Sequence, residues 1–306
     1  MQMVSRPERR LSIRSRHVFP DVLKADAARI EAHLGAIMSD DPDLPVVQGM
    51  RYAVSGGKRL RGFLVMEGAR LFDVPETQSV WAAAAIEAIH AYSLVHDDLP
   101  CMDDDDLRRG LPTVHRKWDE GTAVLVGDAL QTLGFELVLD PGCHADATVR
   151  ADLALSLARA SGRSGMVLGQ ALDIAAESAD APLTLEQITA LQAGKTGALI
   201  VWSAQAGARL AQTDTTALTD YAAALGLAFQ IADDVLDVEG DETTVGKAVG
   251  KDADRGKATF VSLFGLDGAK ARARDLVTAA CDAVSPYGDK ANTLKDAARF
   301  VISRDT

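Results

Sequence analysis

The sequence predicts an all-α fold, a single large helical bundle. Apolar residues recur at helical spacing along most of the chain, strand signals are nearly absent, and the connections between periodic segments are short. Ile30, Leu34 and Ile37 follow the i, i+4, i+7 pattern of one buried helix face, and residues 225–236 repeat it. Ala- and Leu-rich helices joined by short connections are typical of one helical bundle.

Turn residues divide this pattern into elements. Gly, Pro or Asp interrupts it at 41–45, 56–57, 73–75, 100, 140–142, 181–182, 239–250 and 285–288. Residues 1–20 differ from the rest, since they carry five arginines against Glu8 and lack the apolar core of a secretory signal. We predict a loose basic arm there, with a short organellar transit segment as the alternative, and one domain over 21–306.

Composition excludes several classes of protein. The chain has 306 residues, of which 47% are hydrophobic, and a net charge of −12, which indicates a globular protein and no nucleic-acid partner. No charge-free apolar stretch reaches the roughly 18 residues of a membrane span, so none is predicted. Three cysteines without a Cys-x-x-Cys pair favour neither disulfides nor a thiolate zinc site, and a cytoplasmic location is expected.

The first acidic cluster contains Asp97, Asp98 and the run 103–106. Asp97 and Asp103 would point about 240° apart on a straight helix, so they can share a ligand only if the chain turns between them. Pro100 disfavours helical geometry at the residue before it and removes an amide donor. We therefore expect the helix to end near Pro100 and a loop to bring Asp103 back. A solvated acidic loop is the alternative for 103–106.

The second acidic cluster is helical. Asp233 and Asp237 are spaced i, i+4, and Asp234 and Asp237 i, i+3, so all three lie on one helix face. Two such charges about 4 Å apart repel by roughly 4 kcal/mol at an effective dielectric constant near 20, which calls for a compensating cation. Carboxylates without His or Cys suit Mg²⁺.

Basic residues accompany the acidic ones. Gly56 and Gly57 precede a cationic stretch in which Lys58 and Arg61 are expected on one helix face, although an exposed basic helix start is the alternative. His90 lies seven residues before Asp97, within about 20° of the same face. Guanidinium forks and ammonium groups facing Mg²⁺ favour a diphosphate ligand. Other cations near acidic or glycine-rich segments are Arg108, Arg109, Lys195, Lys247, Lys251 and Lys257.

Five ordered motifs carry a resemblance over nearly the whole chain from Asp21. They are residues 56–61, 97–109, 169–173, 195–197 and 229–237. In these motifs the chain resembles the trans-isoprenyl diphosphate synthases, most closely those of the bacterial farnesyl type. The resemblance implies a helical bundle around a deep central cavity, Asp motifs that face each other across it, a homodimer, and condensation of isopentenyl diphosphate with dimethylallyl or geranyl diphosphate to a C15 product.

The resemblance also implies roles for individual residues. Asp97, Asp103 and Asp233 would be ligands of three Mg²⁺ ions, supported by Asp98, Asp234 and Asp237. The allylic diphosphate would be held by Arg108, Lys195, Thr196, Gln230, Lys247 and Lys257. The isopentenyl diphosphate would be held by Lys58, Arg61, His90 and Arg109. Tyr92 and Ser93 would form the floor that limits product length.

The chain departs from the family pattern at two places. Gly62 stands where a proline is usual, and Phe260-Val261 replaces a usual Tyr-Pro. Three other functions stay open: a C20 synthase of the same fold, a catalytically silent helical subunit or acidic metal-binding protein, and a terpene cyclase, which has less use for a second diphosphate site.

Overall fold

The structure is a computed structural model that describes residues 18–177, 183–239 and 259–303. In chain order the α-helices are α1 (Val18–Ile37), α2 (Pro45–Ala53), α3 (Leu60–Leu71), α4 (Glu76–Asp97), α5 (Val114–Lys117), α6 (Glu120–Leu139), α7 (Ala147–Ser161), α8 (Met166–Glu177), α9 (Leu185–Gln192), α10 (Ala198–Leu210), α11 (Thr216–Glu239), α12 (Phe260–Ala283) and α13 (Asn292–Val301). A π-helical segment (Ala193–Gly197) joins α9 to α10, and a 3₁₀ segment (Ser285–Ala291) precedes α13. The all-α prediction is confirmed.

Most predicted breaks separate the observed helices. α4 ends at Asp97, just before Pro100, as the proline predicted. The break at 181–182 and most of the break at 239–250 lie outside the described residues, as do residues 1–17 of the predicted basic arm. The arm's boundary at residue 20 is wrong, because α1 already begins at Val18. Phe19 is buried there, with its ring 5.2 Å from the rings of Phe63 and Phe300.

A short hairpin was not predicted. Strands β1 (Leu107–Arg108) and β2 (Leu111–Pro112) pair antiparallel across a turn in which Arg109 and Gly110 both have positive φ angles, 54° and 74°. Two consecutive positive φ angles match the twist of a two-residue hairpin turn. The signal in the sequence was the Arg-Gly dipeptide after the acidic run, and the hairpin turns Arg108 and Arg109 in different directions.

The predicted helix face for Lys58 and Arg61 is also wrong. Helix α3 begins only at Leu60, and Arg59 adopts a left-handed conformation, with φ of 50°, immediately before it. Lys58 therefore lies in the preceding turn. Two glycines with positive φ, Gly56 and Gly57, make the turn possible.

Two apolar clusters form the core, and helices α3 and α10 contribute to both. These helices approach closely because small residues face each other. A Cβ atom at Gly207 would lie 2.2 Å from the backbone nitrogen of Ala69, and one at Gly68 would lie 2.8 Å from the Ala204 carbonyl oxygen. The close contact fixes the centre of the bundle, against which α4 and α11 are packed.

Helix α6 has the length and apolar composition of a membrane span, with 44% of its apolar window buried inside the protein. The core helix of a soluble protein meets the same criterion. Three acidic residues, Glu120, Asp128 and Glu136, interrupt its apolar sequence.

Candidate active site

A cavity of about 380 Å³ lies between α4, α8 and the π-helical segment. Charged and polar groups line one part, including Asp97, Lys195 and Thr196. Apolar side chains such as Met166 and Ile174 line another part. A cavity of this size with a few polar groups among apolar walls is typical of small-molecule sites.

The loop after α4 returns Asp103 to the helix end. The backbone N–H of Asp103 donates to the Asp97 carbonyl oxygen at 2.8 Å, and the N–H of Met102 donates to the Leu99 carbonyl oxygen, also at 2.8 Å. The chain therefore reverses direction within six residues at Pro100. This is the turn that the sequence predicted for bringing Asp103 beside Asp97.

Electrostatics at Asp97 favour a bound cation. Burial raises the pKa of Asp97 from 3.8 to about 6. Lys195 and Arg108 counteract this effect, whereas the neighbouring carboxylates of Asp103 and Asp98 add to it. A partly buried carboxylate among like charges is stabilised by any cation that approaches it.

Asp98 is held by the protein itself. It is 3% exposed, and both of its carboxylate oxygens accept hydrogen bonds from Nε of Arg108, at 3.0 and 3.3 Å. A second guanidinium nitrogen of Arg108 also donates to Asp98. Burial raises the pKa of Asp98, with Arg108 opposing the rise. The pair orients Arg108, which the hairpin carries back to the end of α4.

Helix α11 carries the second acidic cluster. Asp233, Asp234 and Asp237 are all partly buried near its end, and so is Gln230. One oxygen of Asp234 accepts the N–H of Phe260 at 2.7 Å and so caps the first turn of α12. Phe229 and Thr196 line the same pocket. Asp233 follows Phe229 at i+4 and therefore lies on the same face of α11.

The π-helical segment presents Lys195 and Thr196 to the cavity. Nζ of Lys195 lies 2.6 Å from Oδ2 of Asp173 on α8. Helix α8 comes close enough for this because Gly169 has no side chain: a Cβ atom there would lie 1.9 Å from the Lys195 backbone nitrogen. The predicted diphosphate ligands Lys247 and Lys257 lie outside the described residues.

A second pocket, of about 170 Å³, adjoins the first. Both pockets are lined by Arg61, His90 and Thr196. The second one also contains three other cations, Lys58, Arg59 and Arg109. The structure thus brings the four residues expected at the isopentenyl diphosphate site to one place, although Lys58 is not on the helix.

The electrostatics of this second pocket are strongly positive. Burial lowers the pKa of His90 well below 6.5, and Arg61 and Arg109 lower it further. His90 is therefore neutral at pH 7. Burial also lowers the pKa of Arg61, with Arg109 adding to the effect. Because burial and neighbouring positive charges disfavour the charged forms of these groups, an anion that binds in the pocket would stabilise them.

Tyr92 and Ser93 line the first cavity, one turn before Asp97 on α4. Tyr92 is 5% exposed, and its ring packs against the ring of His96 at 5.9 Å. The resemblance implied that both residues form the floor of the cavity, and the structure shows that both line it.

The donor chemistry fits Mg²⁺ shared with a ligand. Among the residues that the structure describes, no three His, Cys, Asp or Glu side chains are close enough to hold a metal ion by themselves. Mg²⁺ usually keeps several waters and binds through one or two carboxylates together with substrate phosphates, rather than in an all-protein cage. Partly buried carboxylates at Asp97 and Asp233 suit that mode of binding.

Sequence reasoning missed two acidic residues of the site. Asp173, the partner of Lys195, closes the motif at 169–173 but was given no role of its own. Glu87 lines the second pocket and precedes His90 by three residues, so both lie on one face of α4. The sequence signal for Glu87 was a glutamate within an otherwise largely apolar helix.

Comparison with known proteins identifies close relatives. The model of the polyprenyl synthetase family matches residues 45–295. Farnesyl diphosphate synthase of Escherichia coli is 42% identical over 298 residues, covering 94% of this chain and 99% of that protein. The enzyme of the same name from Haemophilus influenzae is 42% identical over 92% of this chain and 93% of its own length. The structure is similar to that of an FPP/GFPP synthase from Zymomonas mobilis, with a TM-score of 0.85 and 44% identity, covering 92% of this chain and 98% of that one.

Proposed function

Because this chain belongs to the polyprenyl synthetase family, we propose that it condenses isopentenyl diphosphate with dimethylallyl or geranyl diphosphate, forming farnesyl diphosphate and inorganic diphosphate. One observation carries the proposal. Two pockets with cationic groups share Arg61, His90 and Thr196, and one of them continues between apolar walls. A reaction that joins two prenyl diphosphates needs two anion sites side by side and an apolar space for the growing chain.

The acidic clusters would hold Mg²⁺, which would supply positive charge to neutralise the departing diphosphate. Asp97, Asp103 and Asp233 would hold the ions, three in number, and Asp98, Asp234 and Asp237 would support them. The hydrogen bonds of Asp98 to Arg108 and of Asp234 to the N-terminus of α12 fit such a supporting role.

The protein's own cations act on the same leaving group. Lys195, Thr196, Arg108 and Gln230 would bind the allylic diphosphate, so that positive charge already stands where negative charge develops as the C–O bond breaks. The double bond of isopentenyl diphosphate then attacks the allylic cation, and the released diphosphate takes the proton. Apolar walls at Met166 and Ile174 keep water from the cation.

The second pocket would bind isopentenyl diphosphate through Lys58, Arg61 and Arg109. Neutral His90 would donate a hydrogen bond there without adding charge. Tyr92 and Ser93 would stop elongation at C15, because the buried aromatic ring of Tyr92 would close the apolar part of the cavity.

The active form would be a homodimer. Helix α6 exposes Val124 and Leu125, by 42% and 58%, whereas another face of the same helix, which includes Val126, Leu130 and Leu137, is packed in the core. A second copy that covers Val124 and Leu125 would remove this apolar surface from water. We also propose a cytoplasmic protein without a membrane span or nucleic-acid partner. Light scattering after gel filtration tests the dimer, with one protomer's mass as the contrary result.

The activity is tested with radiolabelled isopentenyl diphosphate and geranyl diphosphate, with either Mg²⁺ or a chelator, and chromatography of the products. We expect a C15 product that needs Mg²⁺, and loss of at least about 100-fold in turnover for Asp97→Ala, equivalent to about 2.7 kcal/mol. Asp275→Ala, at an exposed position on α12, is the matched control and should leave turnover unchanged.

The other functions give different results in the same assay. A C20 product would identify the longer-chain synthase, and a hydrocarbon or alcohol from a single diphosphate would identify a cyclase. No product under any condition would leave a silent subunit and contradict the proposed function.

A further inference from the structure

A buried carboxylate lies among the cations of the second pocket. Glu87 is 6% exposed, and its Oε1 accepts the backbone N–H of Gly62 at 2.8 Å. Its Oε2 lies 3.9 Å from a guanidinium nitrogen of Arg59. Among the described residues that line this pocket, Glu87 is the one acidic side chain, and Lys58, Arg59, Arg61 and Arg109 are basic.

The guanidinium groups around Glu87 repel one another. Burial lowers the pKa of both Arg61 and Arg109. Arg109 lowers the pKa of Arg61 further, and neighbouring arginines do the same to Arg109. The carboxylate of Glu87 opposes the fall in both pKa values. Like charges that are held close together away from bulk water repel one another strongly. Without a counter-ion, the arginine side chains would move apart or toward solvent.

Local packing leaves Arg109 little freedom. A Cβ atom at Gly57 would lie 2.6 Å from a guanidinium nitrogen of Arg109, so this side chain lies directly against the glycine backbone. Glu87 is equally fixed, because the Gly62 amide is one of the first-turn donors of α3 that have no partner within the helix. The carboxylate therefore caps α3 and lies beside Arg59 at the same time.

We propose that Glu87 is a positioning residue of the isopentenyl diphosphate pocket: held by the Gly62 amide and lying beside Arg59, its carboxylate keeps the arginines that line this pocket converged on the place where the diphosphate binds. This inference rests on the proposed function. Two physical effects of removing the charge oppose each other. Loss of a negative group near a dianion should tighten binding, whereas loss of alignment should weaken it.

We expect alignment to dominate. In Glu87→Gln, which keeps an acceptor for the Gly62 amide but loses the charge, KM for isopentenyl diphosphate should rise by at least about tenfold, since small displacements of positioning groups have large effects. KM for geranyl diphosphate and kcat at saturating substrates should change by less than about threefold. Glu87→Asp, which restores the charge, should recover part of the loss.

Glu67→Gln is the matched control. Glu67 is also a buried glutamate, 4% exposed and paired with Arg70, but it does not line either pocket of the site. This substitution should lower the melting temperature and leave KM for isopentenyl diphosphate unchanged. An unchanged or lower KM in Glu87→Gln, or equal rises for both substrates, would overturn the proposal.

A second variant keeps the proposal testable if Glu87→Gln does not fold. Glu87→Asp keeps the charge, but its side chain is one methylene shorter, so its carboxylate cannot both accept the Gly62 amide and lie beside Arg59. KM for isopentenyl diphosphate should then be about threefold or more higher than in the parent. An unchanged KM would contradict a role for Glu87 in positioning the pocket.

Calorimetric titration with isopentenyl diphosphate alone separates this inference from the proposed function. If the parent protein forms no prenyl product, the proposed function fails. Weaker binding of isopentenyl diphosphate to Glu87→Gln than to the parent would still support the positioning role, and equal binding would refute it.

Discussion

Replacing Asp97 with asparagine should stabilise the fold while it abolishes turnover. Burial raises the pKa of this carboxyl from 3.8 to about 6. The native state therefore holds the proton more tightly than the unfolded state does. By linkage, the free energy of unfolding of the parent protein falls as the pH rises from about 4 to about 6, and the loss is complete above that window.

The size of the effect follows from the pKa values. A difference of about 2 in pKa corresponds to about 3 kcal/mol. Because Asp97 is partly exposed, solvent screening reduces this to about 1 to 3 kcal/mol. Asparagine has nearly the same shape and no charge, so it should recover that amount at pH 8 and nothing at pH 4.

Urea denaturation without Mg²⁺, followed by circular dichroism at several pH values between 4 and 8, measures this difference. The curves of parent and Asp97→Asn should coincide at pH 4 and separate as the pH rises to about 6. Adding Mg²⁺ with inorganic diphosphate should stabilise the parent and have less effect on the variant. A variant that is equally stable or less stable than the parent at pH 8 would refute the electrostatic reasoning.

Three further substitutions have defined outcomes. Gly169→Ala should lower kcat/KM for geranyl diphosphate by at least about tenfold with unchanged far-UV circular dichroism, because its Cβ atom would lie 1.9 Å from the Lys195 nitrogen and separate α8 from the π-helical segment. Gly207→Ala should lower the free energy of unfolding by about 1 to 3 kcal/mol in urea, since its Cβ atom would collide with α3. Tyr92→Ala should give products longer than C15 on chromatography, because it opens the apolar end of the cavity.

Gly35→Ala is the control for the two glycine substitutions. Gly35→Ala, on the exposed side of α1 where a Cβ atom would meet nothing within 4 Å, should stabilise the protein by up to about 1 kcal/mol. If Gly169→Ala retained full activity, α8 would not need its close approach to Lys195. If Tyr92→Ala gave only C15, the limit on chain length would lie elsewhere.

Local patterns were predicted well because they depend on neighbours in the chain. Pro100 ends α4 and reverses the loop that carries Asp103, and the spacing of Asp233 and Asp237 puts both on one face of α11. The location of His90 and Asp97 on one cavity wall also followed from helix geometry. In each case the relevant residues belong to a single helix or to the turn that follows it.

Errors arose where the local signal was weak. The start of α3 was placed before Lys58, since nothing in the basic run marks Arg59 as left-handed. The hairpin follows a run of charged residues that does not resemble a strand. Its two strands pair only because the chain turns at Arg109 and Gly110.

The sequence by itself determined the all-α fold, the two carboxylate clusters and the cations that accompany them, because helical periodicity and residue chemistry are local. Only the tertiary structure decided which charges meet. Asp173 is 22 residues from Lys195 in the chain, and Glu87 is 25 from Gly62, yet each pair is in contact. Such contacts depend on how closely two helices can pack. Glycines such as Gly169 permit a close approach, and the pattern of residues along a single helix does not reveal where it occurs.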